Sequence, residues 1–201
     1  MKKLLIATNN KGKVKELRDL LKNISIELIT PADINLDLDV VEDGNTYAEN
    51  AAKKAVAFAQ ASGMISLADD SGLEVDALNG APGLYSARYS TKPNASDADR
   101  RAYLLENLKD KPCPWTAHFH AAIAIATTDK TVQLAEDNCY GEIIREERGM
   151  SGFGYDPIFL FPELRKTMAE LEMEQKNRIS HRARAVINVI PILEKLFRHC
   201  E

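Results

Sequence analysis

At 201 residues the chain is long enough to bury a full core, either as one large domain or as two packed lobes. Hydrophobic residues make up 45% and charged residues 28%, and the net charge is −4 with no basic run. That balance is ordinary for a soluble globular protein and excludes broad binding to a nucleic-acid polymer, whose phosphates demand clustered Lys and Arg. The first apolar run, Leu4-Leu5-Ile6-Ala7, is too short for a signal peptide, and nothing approaches the length of a membrane span. Cys113, Cys139 and Cys200 are odd in number, widely spaced and without a C-x-x-C pair, so we expect a complete cytoplasmic chain rather than a disulfide framework or zinc site.

Residues 3–8 read as a buried strand, and Val14, Leu17, Leu20 and Leu21 then recur at helical spacing. Between them lies Thr8-Asn9-Asn10-Lys11-Gly12-Lys13. A strand-loop-helix junction presents free backbone N–H groups at the helix start, where the macrodipole favours an anion. Its two lysines and glycine suit phosphate, although a helix cap with solvated lysines fits the same residues. Residues 26–30 read as a second strand, and Pro31 to Gly44 as an acidic, solvated loop to which Glu42, just before a helix that points toward the proposed site, is the candidate exception. That helix is expected from about Thr46 to Ser62, with Thr46 as N-cap and Glu49 completing a capping box. Glu49 and Lys53 are expected to form a surface pair, while Asn50 and Lys54 occupy a neighbouring stripe.

Ile65 to Ala68 reads as a buried strand that delivers Asp69, Asp70 and Ser71 at its end, turns at Gly72 and resumes through Ala77. An open α/β sheet places its active site at such a strand end, yet Asp-Asp-Ser-Gly is equally good turn chemistry. Adjacent ionised carboxylates repel, so one pKa is expected to rise. Asn79 to Ser90 is a loop, and Ser96 with Asp99 opens a helix to about Lys109. A strand from Thr116 to Thr128 turns at Asp129-Lys130 into a partner from Thr131, with Cys139 to Ile144 continuing as strand. His118 and His120 share one face of it and read as ordinary sheet histidines. Glycines then flank Phe153 in Gly152-Phe153-Gly154-Tyr155-Asp156-Pro157, leaving an aromatic face that a base could stack on or the core could absorb. Lys176 to Arg184 is a basic cluster at the start of a last helix, with Ser180 as its cap and Pro191 bending it. Positive charge at a helix N-terminus makes sense where an anion or base carbonyl sits. We predict an α/β fold, a mixed twisted sheet flanked by helices, with the 116–144 hairpin in a second lobe.

Together these stretches resemble one family, the inosine/xanthosine triphosphate pyrophosphatases. The matching segments are Ala7 to Lys13, Glu49-Asn50-Ala51 with Lys54-Ala55, Ala68 to Leu73, Gly80 to Tyr89, Gly152 to Phe159 and Ser180-His181-Arg182. The resemblance implies Mg2+-dependent hydrolysis of ITP, dITP or XTP to the monophosphate and pyrophosphate, in a substrate cleft between two lobes of a homodimer. It implies that Thr8, Asn9, Asn10, Lys11, Gly12 and Lys13 hold the triphosphate, that Asp70 is catalytic acid or base and metal ligand, and that Ser71 touches substrate. Phe153 would stack on the purine, with Gly154, Tyr155 and Asp156 lining the pocket, and Lys176, His181 and Arg182 would read the base. On chemical grounds Glu42 and Asp70 would hold Mg2+, Asp69 or Asp70 would orient or deprotonate water, and Lys13 and Lys54 would offset phosphoryl charge.

Overall fold

A computed structural model describes residues 2–198 of the chain; Cys200 lies outside the described residues. The strands are β1 (Lys3–Ile6), β2 (Glu27–Ile29), β3 (Ser66–Val75), β4 (Trp115–Ala126), β5 (Val132–Ile143), β6 (Phe159–Phe161) and β7 (Lys166–Thr167). They form one open seven-stranded sheet in the order β2-β1-β3-β4-β5-β6-β7. β1 pairs in parallel with β2 and with β3, where Leu5 faces Ser66 and Ile6 faces Leu67. β5–β6 and β6–β7 are antiparallel, so the sheet is mixed. The helices are α1 (Lys11–Leu20), α2 (Tyr47–Ser62), α3 (Asp97–Leu108), α4 (Met173–Ile179) and α5 (His181–Arg198).

The chain divides into two compact units, Met1–Asp70 with Ala121–Asp137 and Arg182–Glu201, and Ser71–His120 with Asn138–His181. The core of the first is built from Leu4 and Ile6 of β1, Leu67 of β3 and Ala121, Ile123 and Ile125 of β4. Leu17 of α1 and Val186, Val189 and Leu193 of α5 complete it. Removing such side chains from water is the main stabilising term. The second core joins Leu73 and Val75 of β3, Leu104 and Leu108 of α3, and Trp115, Phe119, Tyr155, Phe159 and Met168.

Several boundaries follow local chemistry. Thr46 Oγ1 accepts the Glu49 N–H at 3.1 Å and caps α2, and Ser96 with Asp99 forms a capping box on α3. Glu49 does not pair with Lys53: its carboxylate accepts the Asn45 N–H at 2.6 Å, and Lys53 reaches Asp43 at 2.5 Å. The expected turn at Gly72 is absent. β3 runs unbroken through Asp69, Asp70, Ser71 and Gly72, because pairing and burial along the strand override the turn preference of those residues. The β4–β5 hairpin is divided, its distal half, Ala121–Asp137, belonging to the first unit. Lys176 and Arg178 lie in the separate helix α4, which Ser180 ends as C-cap. Pro191 lies inside α5. Among the described residues no helix is long and apolar enough to cross a membrane.

Candidate active site

A strand alternates its side chains between two faces, so the neighbours Asp69 and Asp70 enter different environments. Asp69 is 1% exposed. Its carboxylate accepts Arg182 Nε at 2.6 Å and Lys13 Nζ at 2.6 Å, and the same guanidinium also meets buried Glu16. Burial alone would raise its pKa; Arg182 and Lys13 outweigh burial and hold the Asp69 carboxyl well below the usual range. Burial pushes the Lys13 ammonium down, Asp69 opposing and Lys54 and Arg182 adding to the fall.

Asp70 faces α2. Lys54 Nζ lies 2.7 Å from Glu42 Oε1 and 3.8 Å from Asp70 Oδ1, and donates to the Asp69 carbonyl at 2.9 Å. Asn50 hydrogen-bonds Asp70 with its side chain, and its Oδ1 accepts the Gly44 N–H at 2.8 Å, pinning the loop that carries Glu42. A Cβ at Gly44 would stand 2.7 Å from that Oδ1, so the loop can approach only as glycine. Burial raises the Asp70 pKa and Glu42 raises it further, against Lys54, Lys13 and Asn50. One acid of the pair rises, as expected, but through burial and Glu42 rather than through its neighbour in sequence.

In the first loop Asn10 caps α1, its Oδ1 accepting the N–H groups of Gly12 at 2.9 Å and Lys13 at 3.1 Å. Two of the amides expected to cradle phosphate are therefore engaged by the cap. Thr8 Oγ1 accepts the Asn10 N–H at 3.2 Å, and Asn9 and Lys11 are exposed.

The second unit gathers another set. Asp156 Oδ2 accepts both the Phe153 N–H at 2.9 Å and Lys176 Nζ at 2.6 Å, and the ammonium stands 5.4 Å from the centroid of the Phe153 ring. Gly152 has φ +79°, and a Cβ there would lie 2.1 Å from Asp156 Oδ2, so this turn needs glycine. Tyr155 is buried in the core with its hydroxyl donating to the Ser86 carbonyl at 2.9 Å, a seat that raises its pKa chiefly by burial. Its ring is thus a member of the second unit's core. His181 stacks on Phe119 with centroids 4.7 Å apart, and its Nδ1 is 3.7 Å from Cys139 Sγ. Ser71 is half-buried in β3.

The sequence pattern of the Ham1 family matches residues 4–192. The chain belongs to the Ham1 family. It is similar to a protein of Desulforamulus reducens named dITP/XTP pyrophosphatase, with 50% identity over 200 residues and 99% of each chain covered. Its fold is similar to that of a HAM1 protein from Coxiella burnetii (TM-score 0.86, 39% identity, 97% of this chain and 100% of that one). The Staphylococcus aureus Ham1 protein is similar too, at TM-score 0.84 and 41% identity over 96% and 99% of the two chains.

In this Ham1 chain the structure departs most from expectation at Arg182. Successive helix residues point about 100° apart, and the guanidinium, 1% exposed, is committed to Asp69 and Glu16 within the first unit. Sequence reading missed Glu16 altogether. The signal was present: Glu16 follows Lys13 by three and adjoins Leu17, so it lies on the stripe of α1 that must be buried and needs a partner. Among the described residues no group of three or more His, Cys, Asp and Glu gathers to hold a metal ion.

Proposed function

We propose that this chain hydrolyses the α–β phosphoanhydride of non-standard purine nucleoside triphosphates, dITP, XTP and ITP, to the monophosphate and pyrophosphate. The substrate class is drawn from full-span relatives named dITP/XTP pyrophosphatase. The chemistry rests on the seat of Asp70, a carboxylate with a raised pKa beside Glu42, Lys54 and Asn50. A base works best with a pKa closer to working pH than a free carboxylate has, so Asp70 accepts the proton of the attacking water. Asp69, held ionised by Arg182 and Lys13, is a poor proton acceptor. Its task is to orient the two ammonium groups, since its carbonyl also accepts Lys13 Nζ at 3.3 Å and Lys54 Nζ at 2.9 Å. Those lysines offset charge on the phosphoryl oxygens. Arg182 then acts through Asp69 rather than on the base.

Glu42 and Asp70 fit a divalent ion in kind, being hard oxygen donors that meet at Lys54. Two carboxylates alone suit Mg2+ that takes its other ligands from substrate phosphate and water. Bound there, Mg2+ would neutralise phosphoryl charge and polarise the reacting phosphate. Thr8 to Lys13 are assigned to the triphosphate and Ser71 to substrate contact. Phe153 is assigned to stacking on the purine, and Lys176 and His181 to donating toward its 6-oxo group. ATP carries a 6-amino donor there and would leave donor facing donor. One pyrophosphatase domain over residues 1–201, a homodimer and a cytoplasmic location belong to the same proposal.

The test is pyrophosphate release from dITP, XTP, ITP, GTP, ATP, CTP and UTP, with Mg2+ and with EDTA. Mg2+-dependent release confined largely to dITP, XTP and ITP is expected. Release from pyrimidines would overturn the base assignment, and release from none would overturn the enzyme.

A further inference from the structure

Phe153 sits between two glycines with positive φ, Gly152 at +79° and Gly154 at +60°. Such a backbone has no side-chain restraint of its own, so a ring presented from it must be held from outside. The Asp156 carboxylate ties the Phe153 N–H. The other tie comes from α3, an element to which neither the motifs nor the proposed chemistry assigns a part.

Asp97 and Arg101 are four apart on that helix and therefore share a face. Asp97 Oδ2 accepts the Gly154 N–H at 2.8 Å, and Arg101 Nη1 donates to the Gly154 carbonyl at 2.8 Å. Both backbone groups of the residue after Phe153 are thereby fixed. The rest of the Arg101 fork closes on Glu147, Nε to Oε1 and Nη2 to Oε2, each at 2.8 Å. One guanidinium thus bridges the two ends of the 147–154 segment, and its side chain is only 11% exposed. Arg100, paired with Asp97 and donating to the Ala95 carbonyl at 2.6 Å, steadies the Asp97 carboxylate. The Ser96–Asp99 box fixes the first turn of α3 from which Asp97 projects.

We propose that Arg101, with Asp97 and Glu147, is a positioning residue for base recognition: it pre-orders the 147–154 segment so that Phe153 meets the purine without an ordering cost on binding. The inference rests on the reading of Phe153 as the stacking ring. A fork that spends one N–H pair on a carboxylate and another N–H on a carbonyl cannot be replaced by a single ammonium. Arg101→Lys should therefore behave like Arg101→Gln although it keeps the charge.

Two readouts test this on the full chain, with thermal melts confirming that Arg101→Gln, Arg101→Lys and the more exposed Glu147→Gln are folded. In steady-state kinetics with dITP, each variant is expected to raise KM about three- to tenfold with kcat within about twofold, since lost pre-organisation is recovered at binding. In a Phe153→Ala background Arg101→Gln should add nothing further. In hydrogen exchange, the peptide containing Gly154 should exchange faster in each variant, because its N–H loses a fixed acceptor. An unchanged KM, an equal KM increase in the Phe153→Ala background, or full rescue by lysine would each overturn the proposal. Should Phe153→Ala itself leave KM unmoved, the stacking reading falls and the proposal with it, whereas a raised KM in Phe153→Ala beside an unchanged KM in the Arg101 variants overturns the proposal alone.

Discussion

Replacing Arg182 with methionine is expected to be a stability mutation before it is a selectivity mutation. The guanidinium is buried between Asp69 and Glu16, and the methionine would leave both Glu16, 3% exposed, and Asp69, still paired with Lys13, without this cation. Removing one partner of a buried ion pair costs roughly 3–5 kcal/mol, much of it the desolvation of the abandoned charge. For a chain of this size each kcal/mol moves Tm by about 2–4 °C, so the loss should fall between roughly 6 and 20 °C. The assay is a thermal melt without nucleotide, followed by circular dichroism at pH 7.5 and pH 3. In the parent the Asp69 pKa is depressed, so its contribution is present above the unfolded pKa and is lost as pH falls through the folded value. Without Arg182, burial dominates and the folded pKa rises, so the variant loses less on acidification. The gap in Tm between parent and variant should therefore narrow toward pH 3, below the ordinary carboxylate value of 3.8. Restoring neutrality with Glu16→Gln in the same chain should recover part of the loss. A Tm within about 2 °C of the parent, accompanied by relaxed discrimination among purines, would refute this account and return Arg182 to the base.

Asp70→Asn should lower pyrophosphate release at least about a hundredfold, the usual contribution of a general base, while raising Tm. The sign follows from the raised folded pKa: ionised Asp70 opposes folding above its unfolded pKa, and the amide removes that penalty. A drop in Tm would contradict it. Lys54→Met removes the cation that holds the Asp70 pKa down, so the acidic limb of kcat/KM against pH should move to higher pH, and an unmoved limb would exclude Asp70 as the base. Gly152→Ala forces a Cβ toward Asp156 Oδ2 at a positive φ; it should raise KM for dITP and lower Tm by a few degrees, as steady-state kinetics and a melt would show.

What the sequence made legible was local. The helix starts at Thr46 and at Ser96-Asp99 follow from side chains three residues apart, and the order of strands and helices from hydrophobic period. Asn50 and Lys54, four apart, do reach Asp70 together. The rest depended on distant partners. Arg182 meets Asp69 across 113 residues and Glu16 across 166, and no spacing rule encodes which buried cation a carboxylate will find. The unbroken β3 is the other lesson: four residues that favour a turn in isolation stay extended when partner strands and core hold them.

The double use of Asp69 makes the two lysines differ in how far mutation can dislodge them. Lys54 hangs on Glu42 and on the peptide carbonyl of residue 69, which every amino acid supplies, whereas Lys13 hangs mainly on the Asp69 carboxylate. Genetic drift at position 69 would release one ammonium and spare the other, so a lineage that exchanged this acid would keep in register half of the charge proposed to face phosphate and could rebuild the remainder by a second change.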